Sequence, residues 1–282
     1  MARFYQRQVS KRPIFKSSLG GSIFTHNAVE FDYCISEALD SLCAICDSVV
    51  VLDAQSTDGT VEVIREAAKK HNNLKVVVGA EWECCKNYER LARLATFAKS
   101  FLKTDWHFML QADEVLHENS FPFIKNAMAM PGYTSFMVRR INLFGDLNHY
   151  LGFDLPQERK PCSDIVLRLA HTHYDAVGDA ESLGCDSATN SDEMVDKINI
   201  FHYGMVRRDV NFIEKIISMQ SWFFGEGSQP DQRAVDMKAN GETRFDWTRF
   251  KERSDLRRLH LEHPRFSKAW AEERQKEKVP IE

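Results

Sequence analysis

The sequence has no apolar run approaching the ~20 residues of a membrane-spanning helix. It has no N-terminal secretory signal, no internal repeat and no low-complexity tract. It has no basic excess either: 37 Lys and Arg against 41 Asp and Glu leave a net charge of -4, so a chain dominated by nucleic-acid contacts is not suggested. Cysteines do not make an even set. The seven are Cys34, Cys43, Cys46, Cys84, Cys85, Cys162 and Cys185. Cys43 and Cys46 form a C-x-x-C, but no second one completes a zinc site, and the pair falls in a helical pattern with Leu39 and Leu42. Buried free thiols are expected there. An odd count without a signal points to a reducing compartment, so a cytoplasmic location is expected.

What is present is an alternation. Ser22–Thr25 reads as a strand with Asn27 at its tip, and Glu30–Cys46 carries apolar residues at helical spacing. Val49–Leu52 is an apolar run that ends in Asp53, and Ser56-Thr57-Asp58-Gly59-Thr60 is turn chemistry opening a helix over Val61–His71, with Asp58 or Thr60 as cap. Leu74–Val78 is a third strand and Lys86–Phe101 a long amphipathic helix. Trp106–Leu110 is a fourth strand, ending in Gln111-Ala112-Asp113-Glu114. Strands separated by helices predict an α/β fold, a mostly parallel sheet flanked by helices. Ligands of such sheets sit at the carboxyl ends of the strands. Asp53 and Asp113 both stand at such ends, which predicts one shared cleft. An acid closing an apolar strand is costly unless paired or exposed.

The second half changes style. Ser120–Ala129 reads as a short helix stopped by Pro131-Gly132, and Tyr133–Asn142 as an edge or antiparallel strand. Leu143–Asp164 and Thr172–Glu193 read as loops, with strands at Ile165–Ala170 and Ile198–His202 and a helix over Asn211–Phe224. The expected organisation is one domain over 1–230, with a first half over about 20–118 and a second over about 119–230, and a charged helical extension over 231–282.

VVVLDAQSTDGTVEVI resembles the strand-turn-helix of family 2 glycosyltransferases, and LQADE after a hydrophobic strand resembles that family's metal-binding D-x-D region. The likeness covers about residues 20–118 and is carried further by His202 in Ile200-Phe201-His202-Tyr203. The resemblance implies a GT-A-type fold and a nucleotide-diphospho-sugar donor. It implies that Asp53 faces base and ribose, with Asn27, Asp58 and Gln111 also on the nucleotide side. It implies Mn²⁺ or Mg²⁺ held by Asp113 with help from His202 and from phosphate oxygens. Gln111 departs from the pattern, because it replaces the first acid of D-x-D with a poor ligand for a hard cation.

Inverting transfer needs a general base near the acceptor hydroxyl. Asp179 and Glu181 are favoured, with Asp164 and Asp186 as further candidates. Arg139, Arg140, Arg168 and Arg207 are either phosphate clamps or surface ion pairs. Trp82, Trp222, Phe223 and Phe224 are sugar-stacking or core aromatics. His171 and His173 have the spacing of a metal pair but no third ligand. Basic residues of the tail, including Arg249, Lys251, Arg253, Arg257, Arg258, Arg265 and Lys268, form a solvated helical face or meet a polyanion such as modified DNA or a glycan. Two other functions remain open. One is a non-catalytic sugar- or nucleotide-binding protein, kept alive by Gln111. The other is a sugar-nucleotide pyrophosphorylase, disfavoured because Thr25-His26-Asn27-Ala28 stands where that class has a Gly-rich phosphate loop.

Overall fold

A computed structural model describes residues 17–83, 89–154, 161–162, 164–184, 194–224, 229, 231–278 and 281. The basic arm Met1–Lys16, Cys84, Cys85, Cys185, Asp186 and the side chains of Cys162, Trp222, Phe223 and Phe224 lie outside this description.

The first half alternates as the hydrophobic pattern demands. Strand β1 (Leu19–Thr25) is followed by α1 (Ile35–Cys43), β2 (Ser48–Asp53), α2 (Thr60–Lys70), β3 (Leu74–Val78), α3 (Glu89–Lys99) and β4 (Trp106–Met109). The four strands are parallel, with β1 between β2 and β4 and β3 outside β2. Val49, Val50, Val51 and Leu52 are all buried because helices cover both faces, so β2 reads as a continuous apolar run rather than an alternation. The chain steps from β1 to β2 and β3 on one side, then crosses back to β4 on the other. The topological switch point therefore lies between β1 and β4.

Helix α1 starts five residues later than its periodicity predicts. Residues 27–34 are held in a turn by Phe31 N–H donating to Asn27 O and Tyr33 N–H to Ala28 O, with Asp32 in the left-handed region at φ 49°. Helix α2 begins at Gly59, whose φ of 93° favours glycine. Asp58 supports that start, because its Oδ1 accepts from Thr60 N–H at 3.1 Å.

The second half joins the same sheet mainly by antiparallel pairing. Its elements are β5 (Glu114–Leu116), α4 (Phe121–Met128), β6 (Ser135–Phe144), β7 (His149–Leu151), β8 (Phe153–Asp154), β9 (Pro161–Cys162), β10 (Asp164–His171), β11 (Asp175–Val177), β12 (Ser182–Gly184), β13 (Met194–Met205) and α5 (Asp209–Phe224). Strand β10 pairs antiparallel with both β4 and β6, while β13 runs parallel to β6 and antiparallel to β5. Two stretches expected as loops contain strands. Residues 143–164 include β7, β8 and β9, and residues 172–193 include the β11–β12 hairpin. Strands of two or three residues are too short to show a period in sequence.

Residues 231–282 contribute more than helix. Helices α6 (Gln232–Ala239) and α7 (Lys268–Gln275) flank β14 (Leu256–Arg258), which pairs with β7 at the sheet edge. Trp247 packs with Phe144, Phe212 and Ile281. Arg274 bonds Asp32 at 2.6 Å, and Lys278 bonds Asp209 at 2.7 Å. Two of the tail's cations are thus buried in ion pairs with the core, whereas Arg249, Lys251, Arg258, Arg265 and Lys268 are exposed.

Candidate active site

A cleft of about 230 Å³ opens at the switch point. Its walls come from the end of β1 (Phe24, Thr25, His26), the segment after β4 (Gln111, Ala112, Asp113), Arg140 of β6, the β11–β12 turn (Asp179, Glu181), His202 of β13 and Lys215 of α5. Seven of the residues singled out in sequence therefore share one opening: Trp82, Gln111, Asp113, Arg140, Asp179, Glu181 and His202. Asn27, Asp53 and Asp58 do not line it.

The reason lies in how the two loops beyond β1 and β2 are tied. Asn27 Oδ1 accepts from Thr57 N–H at 2.9 Å, and Asn27 N–H donates to Ser56 Oγ at 2.8 Å. Asp58 Oδ2 accepts from Glu30 N–H at 2.6 Å, while its Oδ1 takes both Thr60 donors. Asn27 and Asp58 thus join the two loops to each other. Asp53 is 1% exposed; its Oδ2 accepts from Ser56 N–H at 3.2 Å, but its Oδ1 is buried without a partner among the described residues. Thr25 stands directly beside Asp53 in the register, lines the cleft, and has an equally unpartnered buried Oγ1. Two such orphans on neighbouring strand tips are uncommon, since buried polar groups are normally satisfied. Next to them His26 stacks on Trp82 with ring centroids 4.1 Å apart and planes within 5°. His26 Nδ1 bonds Ala54 O at 2.6 Å, and burial lowers its pKa.

Asp113 occupies the other side. Its Oδ2 accepts from Arg207 Nη2 at 2.8 Å and Lys215 Nζ at 3.2 Å. Its Oδ1 faces His202 Nε2 at 3.5 Å. Burial pushes the Asp113 pKa up, but the Lys215 and Arg207 cations prevail and hold it well below the usual carboxylate range. Arg207 is 0% exposed and also donates to Phe31 O and Gly204 O. It is neither a surface ion pair nor a phosphate clamp; it rivets β13 to the loop before α1. Lys215 is brought to about pKa 8, first by burial and then by Arg207.

The orientation of His202 is set from behind. Asp164 Oδ2 accepts from Asn142 Nδ2, which fixes the amide so that Asn142 Oδ1 faces His202 Nδ1 at 2.8 Å. A carbonyl oxygen there places the proton on Nδ1 and leaves the Nε2 lone pair turned toward Asp113. Gly204 leaves room for this ring, since a Cβ at that position would lie 2.6 Å from Nε2. A carboxylate oxygen and an imidazole lone pair 3.5 Å apart are too far for a normal hydrogen bond. As a donor pair they fit a small dication that takes its remaining ligands from phosphate and water. No cluster of three or more His, Cys, Asp or Glu side chains able to hold a metal occurs among the described residues. His171 and His173 stand apart from the cleft, with ring centroids 5.9 Å apart.

Glu114 is structural: its Oε2 accepts from Gln111 N–H at 2.8 Å, and its Oε1 accepts from the fully buried Arg168 at 2.7 Å. Arg140 bridges Asp164 at 2.9 Å and Glu181 at 2.7 Å. Neither arginine is a surface ion pair, because β10 and β6 carry both into the interior. Glu181 is thus committed to a cation. Asp179 has no salt bridge among the described residues, and its pKa is raised by burial and then by Glu181. The turn that presents it holds Gly178 and Ala180 both at φ 63°, and Gln111 Nε2 reaches Ala180 O at 3.3 Å. Asn142, Lys215, Thr25 and His26 were missed in sequence. Only the register of β6 with β13 places Asn142 opposite His202.

No protein-family model and no curated protein matches the sequence. Among solved structures the chain is similar to a mannosyltransferase from Pyrobaculum calidifontis in complex with GDP-Man and Mn²⁺, at 22% identity and a TM-score of 0.35, covering 46% of this chain and 37% of that one. It is similar to TarS of S. aureus, at 13% identity and a TM-score of 0.39, covering 84% and 75%. It is also similar to glucosyl-3-phosphoglycerate synthase from Mycobacterium tuberculosis in complex with Mn²⁺, UDP and glucosyl-3-phosphoglycerate, at 18% identity and a TM-score of 0.34, covering 46% and 45%. The chain spans less than half the length of the first and third of these. These likenesses are to GT-A-type glycosyltransferases and concern the fold.

Proposed function

We propose that this protein is a glycosyltransferase that moves a sugar from a nucleotide-diphosphate donor to an acceptor hydroxyl, with inversion. The observation that carries the reading is the joining of Asp113, His202 and Asp179 in one cleft at the sheet's switch point.

The nucleoside lies toward β1 and β2. Thr25 Oγ1, unpartnered among the described residues, supplies a hydroxyl on the cleft wall for base or ribose groups, beside the His26–Trp82 stack, with Asp53 next to it on β2. The diphosphate lies toward Asp113. Asp113 Oδ1 and His202 Nε2 would hold the metal, Mn²⁺ suiting the imidazole better than Mg²⁺. When bound, the ion offsets the negative charge that grows on the departing diphosphate. Gln111 Oε1 accepts no hydrogen bond among the described residues, so it is available to a ribose hydroxyl.

Asp179 takes the proton from the acceptor hydroxyl. Its raised pKa makes it a stronger base than an ordinary carboxylate. Glu181 serves instead as the counter-charge of Arg140. Activity should rise with pH through the Asp179 pKa, because only the ionised carboxylate accepts the proton.

The test is release of nucleoside diphosphate from a panel of common nucleotide sugars with Mn²⁺. Wild type should turn over at least one donor. Asp179→Asn should lose turnover by about 10²–10⁴-fold while still binding it, and Glu181→Gln should lose far less. A panel with neither binding nor turnover overturns the enzyme reading and leaves a protein of the same fold without this activity.

A further inference from the structure

We infer that Lys215 is a donor-binding residue that grips the diphosphate of the nucleotide sugar, a role no motif assigns to it. The inference rests on the donor-site reading above and adds a residue and a contact to it.

The argument is one of elimination among the cleft's cations. Arg140 lines the cleft but is engaged by Asp164 and Glu181 and lies 3.6 Å from Glu114. Arg207 does not line it and is 0% exposed, with donors on Phe31 O, Gly204 O and Asp113. Lys215 does line it, with 16% of its side chain accessible. Its ammonium makes a single hydrogen bond among the described residues, to Asp113 Oδ2 at 3.2 Å. An ammonium has three donors, so Lys215 keeps donors beyond the one given to Asp113 among the described residues. Its Nζ stands over the Tyr33 ring, 5.2 Å from the centroid. Asp113 already has Arg207 as a close partner at 2.8 Å, so Lys215 is the least engaged of the described cations at the cleft.

Geometry also selects the ligand. Lys215 and the His202 Nε2 lone pair converge on the same carboxylate from different oxygens. A diphosphate at this point meets a point charge with free donors. A nucleoside without phosphates ends before it.

The experiment measures binding of UDP and GDP, with uridine and guanosine as controls, by calorimetry on the full chain. Lys215→Met should weaken the better-bound diphosphate by about ten- to a hundredfold, the usual loss of a charge-assisted hydrogen bond. Nucleoside binding should not change, and Lys215→Arg should restore most of the loss. Asp113 keeps Arg207 in either variant, so the thermal midpoint should shift little. Equal weakening of nucleoside and diphosphate overturns the inference by making Lys215 structural. Unchanged diphosphate binding in Lys215→Met overturns it while leaving the donor site standing. A wild type that binds neither diphosphate overturns both.

Discussion

Two acids stand at or just beyond the carboxyl ends of β2 and β4, which flank β1 in one sheet, and the protein treats them differently. Among the described residues the Asp53 carboxylate is met by a backbone N–H from Ser56 and keeps one oxygen unpartnered. Asp113 is met by a guanidinium, an ammonium and an imidazole. The loops around Asp53 are joined by side chains bonding backbone, whereas the corner around Asp113 is joined by ion pairs between β13, α5 and the segment after β4. Hydrogen bonds to backbone set shape without adding charge. Ion pairs add charge, and here they add a surplus of it at one point of the cleft.

The sharpest way to break the contrast is Asp113→Asn. Turnover should fall by about 10³-fold, as on losing a charged group that organises the transition state. The sequence alone suggests an unaltered fold for this variant, since only ion coordination would be touched. The structure corrects that expectation, because Arg207 is fully buried and loses its counter-charge. Breaking a buried pair costs about 3–5 kcal/mol, readable in urea unfolding. The folded pKa of Asp113 lies below its unfolded value. Its stabilisation is therefore complete above the unfolded pKa of about 3.9 and lost as pH falls through the folded one. Asp113→Asn should remove that part of the acid-unfolding limb; an unchanged limb would count against the ion-pair account.

Asn142→Ala should act next. It frees the His202 ring without touching the cleft wall, and loss of such outer partners typically lowers metal affinity 10–100-fold. Mn²⁺ titration by electron paramagnetic resonance would read it. Gly204→Ala should do the same by crowding Nε2. Undiminished Mn²⁺ binding in both variants would sink the role given to His202.

The smallest effect should come from Asp58→Ala on the other side of the comparison. It removes acceptors for Glu30 and Thr60, so stability should drop by about 1–2 kcal/mol, as for loss of a helix cap. Donor binding should be nearly unchanged. A large loss of nucleotide affinity with normal stability would restore a direct nucleotide contact for Asp58.

The helices and strands of the first half were legible because each buries a continuous face, and burial writes a period into the sequence. Asp113 and His202 were legible because each ends or interrupts an apolar run. Asn142, Arg207 and Lys215 were not. Asn142 lies 60 residues from His202, and the pair exists only through the parallel register of β6 and β13. Arg207 and Lys215 look in sequence like ordinary surface cations on a loop and an amphipathic helix. Between the two favoured bases of the four candidates, spacing could not choose; the Arg140–Glu181 ion pair separates them by engaging one.

By itself, then, the sequence determined the alternating α/β half and the acids at its strand ends, because hydrophobic periodicity and turn chemistry are local. Only the tertiary structure decided which acid is surrounded by charge, which carboxylate is unencumbered, and that the tail adds β14 to the sheet edge. Those outcomes depend on strand register and packing between segments far apart in the chain, and no local pattern records them.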